Sequence, residues 1–207
     1  MKNIVWTSIL GKEDSIKDLF SSYCKKNGVM YTGSLTVIPT IKIEFFKKID
    51  LKKFSQDSSF NFSSSVQVIS SKNTVLGILG NKDTSHLRNI PTIVVGSITK
   101  SLCEKEDFNL IDVPAFSYSN EVVEYLNSNE LIRDVLLPGG VERSSNISAR
   151  LKTSIDAHQI NLYKTHPVES SDIDQITLSS IKNFENSSFI TAFSSPSSVR
   201  SYSKLVG

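Results

Sequence analysis

The sequence predicts an α/β fold whose strands run parallel. Short apolar runs rich in valine and isoleucine alternate with segments of helical periodicity along almost the whole chain of 207 residues. Several of these runs end in serine, glycine or threonine turns that lead directly into a predicted helix. One such strand, turn and helix pattern occurs twice, far apart in the chain, which indicates two related halves. A hydrophobic content of 39% is enough for a packed core and excludes a disordered chain.

The first part of the chain contains one strand, one clear helix and a long extended segment. Apolar side chains recur at helical spacing after Glu13, and Gly28 follows as the predicted C-cap. Pro39, inside the extended segment, indicates an edge strand or a connector. In chain order, the predicted elements are the strand Asn3–Thr7, the helix Glu13–Lys26, the extended segment Val29–Ile43, the helix Lys47–Phe54 and the polar loop Ser55–Ser65.

The remainder of the chain continues the alternation, which favours right-handed crossovers between parallel strands. Strands are predicted at Val66–Ile69, Thr92–Val95, Leu110–Val113, Ala115–Phe116, Val135–Leu137, Ile160–Tyr163 and Phe189–Phe193. Helices are predicted at Asn73–Leu79, Thr99–Glu104, Glu121–Asn127 (with Asn120 as N-cap), Asn146–Thr153 and Asp174–Asn183, and a last helix reaches towards Gly207.

Two serine pairs define the repeat. Ser70 and Ser71 follow one apolar strand, Ser194 and Ser195 follow the other, and a valine comes four residues after the second serine of each pair. The first amides of a helix have no partner within the helix and carry the positive end of its dipole, so such turns can bind carboxylate or phosphate. The alternative is that Ser71 and Ser195 only cap their helices.

Turns with hydroxyl groups or glycine follow four of the predicted strands. The carboxyl ends of parallel strands share one edge of a sheet, and ligands of α/β proteins bind at that edge. We therefore predict these ligand-binding residues: Ser70, Ser71, Lys72, Gly96, Thr99, Gly139, Gly140, Ser194, Ser195 and Ser197.

Composition excludes several kinds of site and partner. The formal net charge of +2 provides no concentrated basic face for nucleic acid. Cys24 and Cys103 lie far apart and the histidines have no metal-ligand spacing, so no metal, cofactor or disulfide is predicted. The apolar start of the chain is too short for a signal peptide, and no run could span a membrane, which predicts a cytoplasmic protein.

Two prolines in extended segments, Pro39 and Pro167, suggest how the chain is divided. We interpret segments 39–43 and 163–167 as a pair of linkers. Residues 44–162 would then form one inserted α/β domain, and residues 1–38 together with 168–207 a discontinuous first domain.

Five segments carry a family resemblance, in the same order along the chain: Val68–Val75, Ile93–Thr99, Leu137–Gly139 with Arg143 downstream, Leu162–Pro167 and Phe193–Arg200. They are similar to a strand-Thr-Ser-x-x-Ala-Val segment, a Val-Gly-x-x-Thr turn, a Leu-Arg-Gly turn, a Tyr-x-Thr linker and a Thr-Ser-Pro-Ser-Ala-Val-Arg segment of one enzyme family. The sequence thus resembles the uroporphyrinogen-III synthases. Each motif is short, so the shared order across most of the chain is the stronger signal.

The resemblance implies a cyclising hydro-lyase of tetrapyrrole (heme) biosynthesis, which converts hydroxymethylbilane to uroporphyrinogen III while inverting ring D. The implied fold has two doubly wound α/β domains joined by a two-stranded linker, with the active site in the cleft between them. The implied substrate is a linear tetrapyrrole polycarboxylate, bound by a monomer that needs no cofactor. By resemblance, Tyr163 is the candidate catalytic residue and Thr165 binds substrate. The alternative for Tyr163 is a linker tyrosine that only packs on the wall of the cleft.

The sequence departs from the family pattern in three places. Thr7-Ser8-Ile9 replaces an opening Thr-Arg-Pro, and Pro138 replaces an arginine. Family members also continue beyond the Ser-Pro-Ser helix with further strands and helices, so we expect the first domain to be incomplete.

Two other functions remain open at this point. A phosphosugar-binding α/β module also uses Ser/Thr turns after parallel strands, where helix N-termini bind phosphate. A non-catalytic relative that binds tetrapyrrole or a protein partner would fit an incomplete first domain.

Overall fold

The computed structural model describes residues 3–51, 65–143, 146–175, 177, 179 and 189–206. The chain divides into two compact units. Unit 1 consists of Met1–Ile43 and Thr165–Gly207, and unit 2 consists of Glu44–Lys164. Strands and helices alternate in the chain, and the predicted α/β class is confirmed.

The regular elements are seven strands and five α-helices within the described ranges. The strands are β1 (Asn3–Ile9), β2 (Leu35–Phe45), β3 (Ser65–Ile69), β4 (Thr92–Val94), β5 (Asp134–Gly140), β6 (Asp156–Pro167) and β7 (Phe189–Ala192). The helices are α1 (Glu13–Lys26), α2 (Lys72–Leu79), α3 (Ser97–Lys105), α4 (Ser119–Ser128) and α5 (Pro196–Val206). Short 3-10 turns lie at Ser85–Asn89, Ser148–Arg150 and Ser170–Asp172.

In unit 1, β1 lies between β2 and β7 and pairs in parallel with both. Val5 and Ile38 are fully buried, and Phe189 and Tyr202 pack against them. The predicted extended segment is a strand that continues through Pro39. The register between β1 and β2 shifts beside this proline, and such a bulge accommodates a residue that cannot donate to the ladder.

In unit 2, the strand order is β4-β3-β5-β6, and each neighbouring pair is parallel. The carboxyl ends of these four strands therefore lie at the same edge of the sheet. A large apolar core supports them, and its members include Val66, Val68, Ile93, Val122, Val123, Leu126, Val135 and Leu137. Burying each such side chain contributes roughly 1.5–3 kcal/mol, so this core holds the strand ends firmly in register.

Helix α2 approaches the sheet of unit 2 closely because it contains a glycine on its inner face. A Cβ added at Gly77 would lie 3.0 Å from the Cβ of Leu162 on β6. Val75 and Ile78 of the same helix are fully buried. The N-terminus of α2 is thereby fixed beside the carboxyl ends of the strands.

The predicted helix Asn146–Thr153 is wrong. The structure has only a 3-10 turn there, at Ser148–Arg150. The side-chain oxygen of Asn146 accepts hydrogen bonds from Ser148 Oγ at 2.9 Å and from the Ala149 amide at 3.3 Å. A side-chain acceptor of this kind competes with the backbone carbonyls that a helix requires.

The predicted start of α4 is also wrong, because the helix begins at Ser119 with Tyr118 as its N-cap in place of Asn120. The carboxylate of Glu121 accepts hydrogen bonds from the amides of Ser117, at 2.7 Å, and Tyr118, at 3.0 Å. These two bonds satisfy amides just before the first helical turn, so the helix begins at Ser119, earlier in the chain than the predicted Glu121.

The two short strands predicted at Leu110–Val113 and Ala115–Phe116 are not formed. In their place, Leu110 makes an isolated bridge with Thr92, and Phe116 makes one with Val95. Isolated bridges lack the repeated ladder of hydrogen bonds that defines a strand.

Some sequence predictions fall partly on residues that the structure does not describe. Residues 47–51 are not helical, which contradicts the first part of the predicted helix Lys47–Phe54, and the rest of it lies outside the described residues. Three other predicted segments also lie outside the described residues. They are the loop Ser55–Ser65 (apart from Ser65, which belongs to β3), most of the helix Asp174–Asn183, and Gly207. In the ranges that are described, no helix combines the length and apolarity needed to cross a membrane.

Candidate functional site

Most of the predicted site residues of unit 2 lie where its strands end. Ser70 and Ser71 directly follow β3, and Gly96 lies in the turn that follows β4. Gly139 and Gly140 are the last residues of β5, and Gly140 pairs with Tyr163 of β6. The fold of unit 2 thus brings these residues to one edge of a parallel sheet, which is the usual position of ligand sites in α/β proteins.

The turn after β3 leads into α2 and is capped by Ser71. The hydroxyl of Ser71 accepts a hydrogen bond from the amide of Asn73 at 3.2 Å. Ser70 is exposed, and its side chain makes no hydrogen bond to any residue that the structure describes. Lys72, also exposed, is the first residue of the helix. An exposed hydroxyl and an ammonium group at the positive end of a helix favour an anionic ligand.

The turn after β4 differs from the first because no side chain caps its helix. Gly96 adopts a φ of 85°, a conformation that glycine tolerates best, and its amide donates to the carbonyl of Phe116 at 2.8 Å. Thr99, predicted to bind ligand, is buried in the first turn of α3. A largely apolar cavity beside this turn is lined in part by Gly96, Ser97 and Lys100. Its polar lining therefore includes residues at a helix N-terminus and one lysine, together with Thr92 and Ser117.

The two glycines at the end of β5 leave room for two larger side chains. A Cβ added at Gly140 would lie 2.8 Å from Cε2 of Tyr163, and one added at Gly139 would lie 2.8 Å from Nη1 of Arg143. The register between β5 and β6 also shifts between Gly139 and Gly140, a bulge of the kind that re-aims side chains near functional sites. A side chain at Gly140 would displace the Tyr163 ring, so glycine is needed there, whereas at Gly139 only the flexible end of Arg143 would have to move.

Tyr163 is held firmly, yet its hydroxyl has no hydrogen-bond partner among the described residues. The residue is 9% exposed, and its ring packs edge-to-face on Phe45 with the ring centroids 5.9 Å apart. Its carbonyl accepts the amide of Val141 at 2.9 Å. The phenolic hydroxyl makes no hydrogen bond to another part of the chain that the structure describes. It is therefore available to donate to a ligand.

Arg143 belongs to the same group of side chains, although it is not among the site residues predicted from the sequence. Its Nη2 donates to the carbonyl of Ile160 and to Oδ1 of Asn161, both at 3.3 Å. Burial lowers the pKa of the Arg143 guanidinium below its usual range, and the neighbouring Tyr163 acts in the opposite direction. The sequence offered one signal for Arg143, its position just downstream of the Leu137–Gly139 segment.

Unit 1 holds the remaining predicted residues: Thr165, half-buried on β6, and the serines that precede or begin α5. Ser195 Oγ accepts the amide of Ser198 at 3.1 Å and therefore caps α5. The hydroxyl of Ser198 lies 3.1 Å from that of Ser194 and 3.0 Å from that of Ser195. Ser197 Oγ accepts from Arg200 at 3.3 Å. The hydroxyls of this turn are thus bonded to other groups of unit 1.

Metal ligation receives no support from the described side chains, since no three His, Cys, Asp or Glu residues among them are grouped closely enough to hold an ion.

Comparisons with known proteins identify one family. The family model described as "Uroporphyrinogen-III synthase HemD" matches residues 22–207. The fold is similar to the crystal structure of uroporphyrinogen-III synthetase from Helicobacter pylori 26695, with a TM-score of 0.56 and 15% sequence identity, over 99% of this chain and 78% of that chain. At this identity the likeness concerns the fold alone. Among curated proteins, none matches the sequence.

Proposed function

The chain belongs to the uroporphyrinogen-III synthase family, and from this premise we propose that it cyclises hydroxymethylbilane to uroporphyrinogen III with inversion of ring D. The family acts on a tetrapyrrole substrate and is a family of lyases. The geometric observation that best supports the proposal is the hydroxyl of Tyr163, unpartnered among the described residues, at the carboxyl edge of a parallel sheet.

Tyr163 would assist the departure of the substrate hydroxyl. In the proposed step, the pyrrole nitrogen supplies electrons as the carbon–oxygen bond breaks, and Tyr163 donates a proton so that the hydroxyl leaves as water. The resulting azafulvene closes on the substituted carbon of ring D to give a spiro intermediate, and rearrangement then inverts that ring. A positioned proton donor of this kind typically contributes roughly 100- to 10,000-fold in rate.

Substrate carboxylates would bind to the N-terminal ends of helices in preference to a basic surface. Ser70, Ser71 and Lys72 provide such a site at α2, and Gly96 with Ser97 and Thr99 provide another at α3. Backbone amides and helix dipoles can hold several carboxylates without a large positive charge, which fits a net charge of only +2. Holding a flexible chain in one productive conformation can lower the barrier by several kcal/mol. Roles for Gly139, Gly140, Thr165, Ser194, Ser195 and Ser197 in substrate binding stay predictions.

A coupled assay tests the proposed activity. Hydroxymethylbilane is generated in situ, and the product isomers are separated after oxidation to porphyrins. We expect the type III isomer in excess over the type I isomer that forms spontaneously. Formation of type I alone, at the spontaneous rate, would contradict the proposal, and binding of tetrapyrrole without turnover would point to a non-catalytic relative.

Tyr163→Phe tests the assigned role of the hydroxyl. We expect kcat to fall by roughly 100-fold or more while KM changes little, because only the proton donor is removed. Tyr23→Phe, at an exposed position of α1, is the matched control and should leave both constants unchanged. Unchanged turnover in Tyr163→Phe would show that the ring only packs on Phe45.

A further inference from the structure

We propose that Arg143 binds one carboxylate of the substrate and thereby places that part of the tetrapyrrole against Tyr163. The inference rests on the proposed function, because the ligand it names is the substrate of that reaction. It adds a guanidinium to a site otherwise built from helix N-termini, the ammonium group of Lys72 and one phenol.

The guanidinium is held by groups that leave its charge uncompensated. Its two acceptors, the carbonyl of Ile160 and Oδ1 of Asn161, are both neutral. No carboxylate in the described part of the chain lies within 4.0 Å of it. Buried or half-buried charges are normally paired with an opposite charge, since the loss of hydration is otherwise costly. The lowered pKa of Arg143, caused first by burial, agrees with a missing counter-ion.

Two nitrogens of the guanidinium make no hydrogen bond to described residues, and they have different surroundings. Nε is buried and lacks a partner. Nη1 also lacks one but lies over Gly139, at the edge of the sheet where β5 ends. Fixed in a plane by the two bonds of Nη2, the guanidinium presents Nη1 as the donor available to a ligand. An arginine held in this way suits a carboxylate better than a free lysine would.

The position of Arg143 relative to Tyr163 follows from the strand pairing. Asn161, which holds Arg143, pairs with Gly139, and Tyr163 pairs with the next residue, Gly140. Thr74, in the first turn of α2, also faces this point, since its Oγ1 lies 3.8 Å from the Cβ position of Gly139. A carboxylate on Nη1 would therefore sit beside both the phenol and the positive end of a helix.

Steady-state kinetics of Arg143→Gln test this inference. We expect KM for hydroxymethylbilane to rise roughly 10- to 100-fold, the range expected for losing a hydrogen bond to a charged group, while kcat falls less. Arg143→Lys, which keeps the charge without the planar fork, should recover part of the loss. Arg88→Gln removes an exposed arginine before β4, at the opposite edge of the sheet, and should leave KM within about twofold.

A binding measurement separates this inference from the proposed function. Uroporphyrin III, the stable oxidised product with its eight carboxylates, is titrated into each variant and followed by fluorescence. Weaker binding to Arg143→Gln than to Arg88→Gln supports the inference, even if the wild-type chain shows no turnover. Equal binding and equal KM in these two variants, with circular dichroism showing both folded, would overturn it and leave the proposed function standing.

Discussion

The two serine turns share a sequence pattern, yet they use their hydroxyls differently. In unit 1, Ser194 and Ser195 bond to the buried hydroxyl of Ser198, and the amide of Ser194 donates to Thr7 Oγ1 at 3.2 Å. In unit 2, Ser71 caps its helix, but Ser70 is exposed and has no side-chain bond among the residues described. The difference indicates that the unit 1 hydroxyls stabilise their own turn, whereas the Ser70 hydroxyl of unit 2 makes no such bond to a described residue.

Side chains explain why one pattern gives two outcomes. Position three after the second serine is Ser198 in unit 1 and Thr74 in unit 2. The hydroxyl of Ser198 bonds with those of Ser194 and Ser195. The amide of Thr74 donates to the carbonyl of Ser71 at 3.0 Å, but its side chain lies towards Gly139 and makes no hydrogen bond with the hydroxyls of Ser70 or Ser71. A motif of serines at a helix start therefore predicts a cap reliably, and a ligand site only when its hydroxyls are not already bonded.

Among the variants that compare the two units, Gly140→Ala has the largest expected effect, and it tests whether unit 2 carries the chemistry. The added Cβ would meet the Tyr163 ring at 2.8 Å, so the ring must shift. We expect kcat to fall roughly 10- to 100-fold, as for other small displacements of a catalytic group. Gly139→Ala, which meets the flexible end of Arg143, should mainly raise KM. Wild-type kcat in Gly140→Ala would remove the catalytic role from this edge.

Ser198→Ala tests the structural role of the unit 1 turn. Ser198 is fully buried and shares hydrogen bonds with two other hydroxyls, so we expect a loss of about 1–2 kcal/mol in the free energy of unfolding, measured in urea. Ser203→Ala, exposed on the same helix, should change stability by less than about 0.5 kcal/mol. Equal stabilities for these two variants would contradict a structural role.

Ser70→Ala should have the converse effect in unit 2. The hydroxyl supports no described contact, so we expect unchanged stability, but KM should rise roughly threefold to tenfold if it donates to a substrate carboxylate. The measurement is KM alongside a urea unfolding curve. A loss of stability with wild-type KM would make the two turns equivalent and end the contrast between them.

The smallest effect concerns Asp172, another internally bonded group of unit 1. The amide of Glu169 and then Lys42, 3.1 Å away, lower the pKa of Asp172 below its usual value. Because the folded pKa is depressed, the stabilisation exists above the unfolded pKa of about 3.9 and disappears as pH falls through the folded value. The difference in Tm between wild type and Asp172→Asn should therefore be largest near about pH 6 and should narrow as the pH falls below about 3.9. A gap that does not depend on pH would contradict it.

Local signals in the sequence were enough to predict much of the fold. Helix α1 is predicted to the residue, since its apolar spacing and its C-terminal glycine are both explicit in the sequence. β6 is predicted only at Ile160–Tyr163, because polar residues flank that apolar run, but pairing with β5 extends the strand back to Asp156. The strand also continues beyond Tyr163 to Pro167. Tertiary pairing of this kind cannot be seen in a single segment.

The candidate site was predictable only where one segment carries the information. Ser71 is the cap that its position before α2 indicates. The need for glycine at position 140 depends on its pairing with Tyr163, and the contact of Arg143 with Ile160 joins residues far apart in sequence. Neither relation leaves a local pattern, because both arise from how β5 and β6 are aligned.

The two adjacent glycines at the end of β5 lower the stability of the strand but leave the space that the proposed activity needs. Glycine inside an element weakens it by roughly 0.5–1 kcal/mol relative to alanine, so the two glycines lower the backbone stability of this fully buried strand. Selection for heat resistance alone would favour a larger, β-branched residue at Gly139, where only the flexible end of Arg143 would have to move, whereas the Tyr163 ring opposes one at Gly140. Larger residues at these positions would fill the space in which Tyr163 and Arg143 lie. Laboratory evolution that selects for activity should therefore retain both glycines.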